Sequence, residues 1–176
     1  TFLICLSFSA NLFSQNLTLS EVLSVRNKSL GEAEEFLTQK GWSFIGAEKP
    51  TNKTMGSLNF AYNVSNYDNK AESFILYIYS DYSNASNRLS IQLVNNKKYI
   101  EYLNQIKSWG GKMIDSYVKD ENIYKIYQGT TITYVISSYV QEDDYYSKKT
   151  GYNLLIMTNE SFEVSSYNDY VKEYVD

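Results

Sequence analysis

Runs that alternate apolar and polar residues recur along this chain in two groups of four, each group preceded by a helical pattern, and that order leaves few folds open. In the first group Trp42 to Ala47 is strand-like. Leu58, Phe60, Tyr62 and Val64 then alternate with Asn59, Ala61 and Asn63, while Phe74, Leu76 and Ile78 alternate with Ile75, Tyr77 and Tyr79, and Leu89, Ile91 and Leu93 with Ser90, Gln92 and Val94. The second group runs over Lys112–Val118, Asn122–Gln128, Thr131–Val140 and Tyr152–Met157. Period-two alternation predicts half-buried antiparallel strands. The Asn-, Ser-, Asp- and Lys-rich stretches between them predict hairpin loops, with Gln128-Gly129-Thr130 a tight turn.

The helical patterns carry start and stop signals. Thr18-Leu19-Ser20-Glu21 and Ser29-Leu30-Gly31-Glu32 are capping boxes, in which hydroxyl and carboxylate each satisfy a free amide of the first turn. The first predicts a short helix to about Val25. The second predicts a helix from Leu30 to about Lys40, with Leu30, Ala33, Phe36 and Leu37 on one face and Gly41 as its stop. Tyr99, Tyr102, Leu103, Ile106 and Trp109 recur at helical spacing, and Gly110-Gly111 ends them.

Setting Gly41 on Gly111 also sets Phe36 on Ile106, Phe44 on Ile114 and Lys49 on Lys119; the likeness lies in the order of elements, not in the letters. We therefore expect an α+β chain of tandem α-β4 repeats, residues 15–96 and 97–159, whose strands form an antiparallel sheet of about eight with helices packed on one face. Residues 160–176 remain as a tail, expected either as a short helix around Tyr167–Tyr174 or as a frayed end. From Thr18 to about Met157 this order resembles the β-lactamase inhibitor protein family, whose two helix-plus-four-strand units form a saddle. More loosely, it resembles small cell-envelope domains of the outer-membrane-assembly lipoprotein type. The likeness covers architecture only; no functional residue carries over, and the missing disulfides depart from the inhibitor family.

The first segment predicts export. Thr1 to Ser20 carry no charge, and Phe2, Leu3, Ile4, Cys5, Leu6, Phe8, Leu12 and Phe13 form a short apolar stretch. It is too short and polar for a membrane span, which needs ~20 apolar residues, and reads as a secretory signal over residues 1–14 cleaved after Ser14. Leu3-Ile4-Cys5 is a poor lipobox, because the position before the cysteine wants a small residue. The expected destination is the periplasm, the outer envelope or the exterior of a bacterial cell. In such a host the Asn-x-Ser/Thr sequons at Asn16, Asn27, Asn52, Asn63, Asn84 and Asn159 stay silent.

Composition excludes several chemistries. The chain has no His and one Cys, so histidine-based nucleophile triads, His-ligated zinc, CxxC redox pairs and intrachain disulfides are absent. A net charge of −4 lacks the basic stripe that nucleic-acid binding needs. No cofactor and no metal are predicted. Glu142, Asp143 and Asp144 lack the spaced pattern of a calcium loop and read as a solvated turn. Trp42 and Trp109 read as core and cap residues.

What remains is the sheet face away from the helices. If Phe74, Leu76 and Ile78 face the helices, then Ile75, Tyr77 and Tyr79 face outward, joined by Met113, Asp115 and Tyr117 and by Lys125 and Tyr127. The candidate binding residues are thus Tyr77, Tyr79, Met113, Tyr117, Lys125 and Tyr127. Tyrosine joins a large contact area to a polar tip, which suits recognition. Strands favour Tyr in any case, and the 18 tyrosines stand beside abundant Asn, Lys, Ile and Ser, the set an AT-rich coding sequence supplies. The expected function is a non-enzymatic exported or envelope-associated domain that holds a protein partner, or another copy of itself, through this face and its loops. A carboxylate-based glycan hydrolase is the competing expectation and requires a cleft with two acidic side chains ~5–10 Å apart. A purely structural envelope component is the third.

Overall fold

The computed structural model describes residues 16–65, 70–81, 86–93, 95–142 and 148–165. Residues 1–14, expected to direct secretion, Asp143 and Asp144 of the expected acidic turn, and the helix expected around Tyr167–Tyr174 lie outside the described residues.

Both capping boxes form. Thr18 opens α1 (Leu19–Arg26) and Ser29 opens α2 (Leu30–Gln39), each with its hydroxyl accepting from the glutamate amide three residues on. Thr18 N–H and Ser29 N–H donate back to Glu21 at 2.8 Å and Glu32 at 2.9 Å. Asn95 opens α3 (Asn96–Ser108), accepting from the Lys97 amide. Gly41 and Gly110 follow α2 and α3 at φ +82° and +86°, the left-handed backbone that stops a helix and that only glycine adopts without cost. A fourth helix, α4, covers residues 159–165.

The strands are β1 (Trp42–Glu48), β2 (Gly56–Tyr62), β3 (Ser73–Tyr79), β4 (Arg88–Leu93), β5 (Lys112–Lys119), β6 (Asn122–Gln128), β7 (Ile132–Glu142) and β8 (Lys148–Thr158). They form one antiparallel sheet in the order β1-β2-β3-β4-β8-β7-β6-β5. Two four-stranded meanders thus meet where β4 pairs with β8, and β1 and β5 are the edges. The fold is α+β with an open sheet.

All the core side chains but a few lie on one face of this sheet. Reading across the ladder, Leu58, Tyr77, Leu89, Ile156, Tyr134 and Tyr127 form one row. Phe60, Ile75, Ile91, Leu154 and Ile136 form the next. These residues are buried together with Leu19, Val22 and Val25 of α1, Ala33 and Leu37 of α2, and Tyr99, Tyr102 and Ile106 of α3. Each such apolar side chain stabilises the fold by about 1.5–3 kcal/mol relative to exposure, enough in sum to hold a core without disulfides. Polar contacts fix the helices over it. Tyr77 Oη donates to Lys28 O between α1 and α2 at 2.6 Å, and Tyr102 Oη of α3 donates to Leu17 O before α1 at 2.8 Å.

Candidate functional site

The rows above fix which side chains point away from the helices, and they reverse the expected parity of β3. Ile75 and Tyr77 are buried beneath the helices, and Tyr79 packs half-buried against the same core. Phe74, Leu76 and Ile78 face outward instead. The cause is the Tyr77 hydroxyl, which reaches Lys28 O and receives the Asn87 side-chain amide. A second correction comes from β5. A bulge between Met113 and Asp115 shifts the register against β6, so Met113 pairs with Tyr127 on the helix side while Tyr117 pairs with Tyr124 on the open side. Lys125 and Tyr127 are also on the helix side: Tyr127 is buried, and Lys125 Nζ donates to Tyr99 Oη of α3 at 3.3 Å. Of the six candidate residues, Tyr77, Tyr79, Met113, Lys125 and Tyr127 lie beneath or beside the helices, and Tyr117 alone lies on the open face.

The open face has its own composition. On its β3 flank Phe74 is 43% exposed, beside half-buried Leu76 and Ile78. Its centre, over β4 and β8, is uncharged and sets polar side chains around half-buried Leu155. Ser90 Oγ donates to Asn153 Oδ1 at 2.8 Å, and Gln92 Nε2 donates to Tyr139 Oη at 2.6 Å. Tyr139 lies across Gly151 on the facing strand, where a Cβ would come within 2.5 Å of its ring. Glycine here lets the phenol lie against the sheet and reach Gln92. On the far flank Tyr117 stacks on Tyr124 with centroids 5.1 Å apart. The face is closed at one corner: Thr133, Met157 and Ile126 are buried, and α4 begins beside them. Thr133 Oγ1 donates to Asn159 Oδ1 at 2.9 Å, and Asn159 Nδ2 donates to Gly129 O and Thr130 O.

Asn59, Phe74, Leu76, Ser90, Gln92 and Asn153 line a shallow hollow of about 120 Å³ on this face. Small-molecule sites usually enclose roughly 300–1,000 Å³, so the hollow suits one side chain of a larger partner rather than a whole ligand. It contains no carboxylate, and so does not provide the paired acids that glycoside cleavage uses. Arg88, next to Met157 in the ladder order, is half-buried with its Nε shielded and unbonded, and burial pushes its guanidinium below the usual value. Glu142 pairs with Lys148 at 3.2 Å across the end of β7 and β8. Among the described residues no group of three or more His, Cys, Asp or Glu is placed to hold a metal ion, and no helix is long and apolar enough to cross a membrane.

The open-face residues were missed because β3 is apolar at both parities. The signal that could have found them is on β4, where Ser90 and Gln92 are the polar parity and Leu89, Ile91 and Leu93 the apolar one. Pairing then carries that assignment to Leu76, opposite Ser90. No protein-family model, curated protein or solved structure matches this chain.

Proposed function

We propose that this chain is an exported, non-enzymatic binding domain that recognises a protein partner through the open face of its sheet and the adjoining loops. One observation carries the reading: a face that none of the described helices covers, except at the corner where α4 begins, bears Phe74, Leu76 and Ile78 on one flank and the Tyr117–Tyr124 stack on the other. Water-facing apolar and aromatic patches of this kind mark interaction surfaces, and aromatic anchors around a small hollow are where binding energy concentrates. Export follows from the uncharged apolar start of the chain, and the paired meanders fit a duplicated α-β4 unit.

A photo-reactive residue at Phe74 or Tyr124, with Glu35 on the exposed side of α2 as control, tests this in bacterial envelope extracts. Adducts of one defined mass from the two sheet positions and none from position 35 are expected. Equal labelling at all three positions, or none at the sheet face of a monomeric protein, overturns the proposal.

A further inference from the structure

One row of the open face is covered at its α4 end and bare beyond it. Across the ladder Ile126, Val135, Leu155, Ser90 and Leu76 lie side by side, apolar at every position but Ser90. Ile126 is buried, whereas Val135, Leu155 and Leu76 are left half-buried. α4 is seated at the same corner: Asn159 bonds Thr133, and Ser161 is buried. The described residues end at position 165 in this helix. Residues 166–176 follow, with a pattern of their own. Tyr167, Tyr170, Val171, Tyr174 and Val175 recur at helical spacing, with Asn168, Asp169, Lys172 and Glu173 between them. The adjacent pairs Tyr170-Val171 and Tyr174-Val175 do not fit the period of a strand. A helix this short is marginal in water and needs an apolar surface beneath its stripe. As a helix the segment spans about 16 Å. From Val135 to Leu76 the row crosses from β7 to β3 through β8 and β4, about 14 Å at the spacing of paired strands. Charge matches as well. The open face carries Arg88, Lys112, Lys119 and Lys149 against Glu48 and Asp115, and the segment carries Asp169, Glu173 and Asp176 against Lys172. Opposite net charge draws the two together.

We propose that residues 166–176 fold back from α4 as a helix and lay the stripe of Tyr167, Tyr170, Val171, Tyr174 and Val175 along the row from Val135 to Leu76. The chain then supplies an occupant for its own open face, and a protein partner must displace it. That consequence, unlike the docking itself, rests on the open-face reading.

The test uses the full chain with labelled methyl groups, in dilute solution and without a partner. Replacing Tyr170→Ser and Val171→Ser together shifts the methyl NMR signals of Val135, Leu155 and Leu76, because the ring and methyls above them are gone. Leu154, on the helix side of β8, stays still. Asp169→Asn with Lys172→Gln, on the polar side of the stripe, moves none of these signals. Nuclear Overhauser contacts from the rings of Tyr167, Tyr170 and Tyr174 to the three methyl groups in the natural chain give the same answer directly. Signals that do not move, that move in step with Leu154, or that move only in concentrated solution overturn the docking, the last by placing the segment on a second copy. Displacement is read separately, from the photo-reactive residue at Phe74 in envelope extracts, where the double-serine chain gives more adduct than the natural one. Equal yields from both chains overturn displacement. No adduct from either chain overturns the open-face reading, while the methyl signals still decide the docking.

Discussion

At the scale of single residues, two tyrosine hydroxyls decide how the helices sit on the sheet. Tyr102 is buried among apolar side chains, and its hydroxyl donates to Leu17 O, so chain segments far apart in sequence are joined by one bond. Removing that donor leaves a buried carbonyl unpaired, which costs about 1–3 kcal/mol. Tyr102→Phe is therefore expected to lower the urea midpoint without changing the denaturant slope, since the ring still fills its site. Tyr139 is a contrasting case. Its hydroxyl receives from Gln92 and its ring covers Gly151 on the outer face, away from α1, α2 and α3. Gly151→Ala should push the ring off the strand and break the Gln92 bond. A tyrosine ring signal that moves from a shielded to a solvent-like NMR position would register this, and an unmoved signal would show that the strand yields instead.

At the scale of elements, the sheet's two edges show why an exposed strand of this length does not simply pair with another copy. Every residue of β5 is exposed, and Met113, Ile114, Tyr117 and Val118 would favour association. Three devices oppose it. A bulge interrupts the register between Met113 and Asp115, Lys112 and Lys119 flank the strand, and Asp115 Oδ1 occupies the Ser116 amide at 2.7 Å beside the bulge. Replacing Asp115 and Lys119 together by Val should produce concentration-dependent self-association in sedimentation velocity where the natural chain sediments as one species; an unchanged profile would mean that the bulge alone protects the edge. The same strand shows where sequence reading stops. Helix starts were legible because Thr18 with Glu21 and Ser29 with Glu32 are local chemistry, and the four-strand groups were legible because alternation is local too. Which parity faces the helices is not local. On β3 both parities are apolar, and the choice depends on Tyr77 meeting Lys28 from another element. The β5 bulge inverts the strand's faces at Ile114, and no residue type there announces it. The sheet was therefore readable and its front was not, which is why Tyr117 is the sole expected binding residue found there.

At the scale of the whole molecule, titration follows from what is missing. The chain has no His, so no side chain of the described residues has an ordinary pKa between about 5 and 8. Acidic dependence comes from the capping carboxylates. Burial pushes Glu21 up, but the Lys40 ammonium at 2.6 Å and the bonds from Thr18 outweigh it and hold the carboxyl below its ordinary value. The Ser29 amide and hydroxyl lower Glu32 in the same sense. For a depressed pKa the stabilisation is present above the unfolded value, near 4.5, and is lost as pH falls through the lower folded value. Alkaline dependence comes from Tyr77, Tyr102 and Tyr134, whose phenols burial pushes up from 10.0. A raised pKa reverses the sign: the stabilisation is full below the unfolded value and is lost as pH climbs past it toward the folded one. Urea midpoints followed by tryptophan fluorescence should therefore be level from about pH 6 to about pH 9 and fall on both sides. Tyr102→Phe should soften the alkaline fall while leaving the acidic one in place. A steep change between pH 6 and 8 would contradict this assignment, because it would require a titrating group that the described fold does not contain.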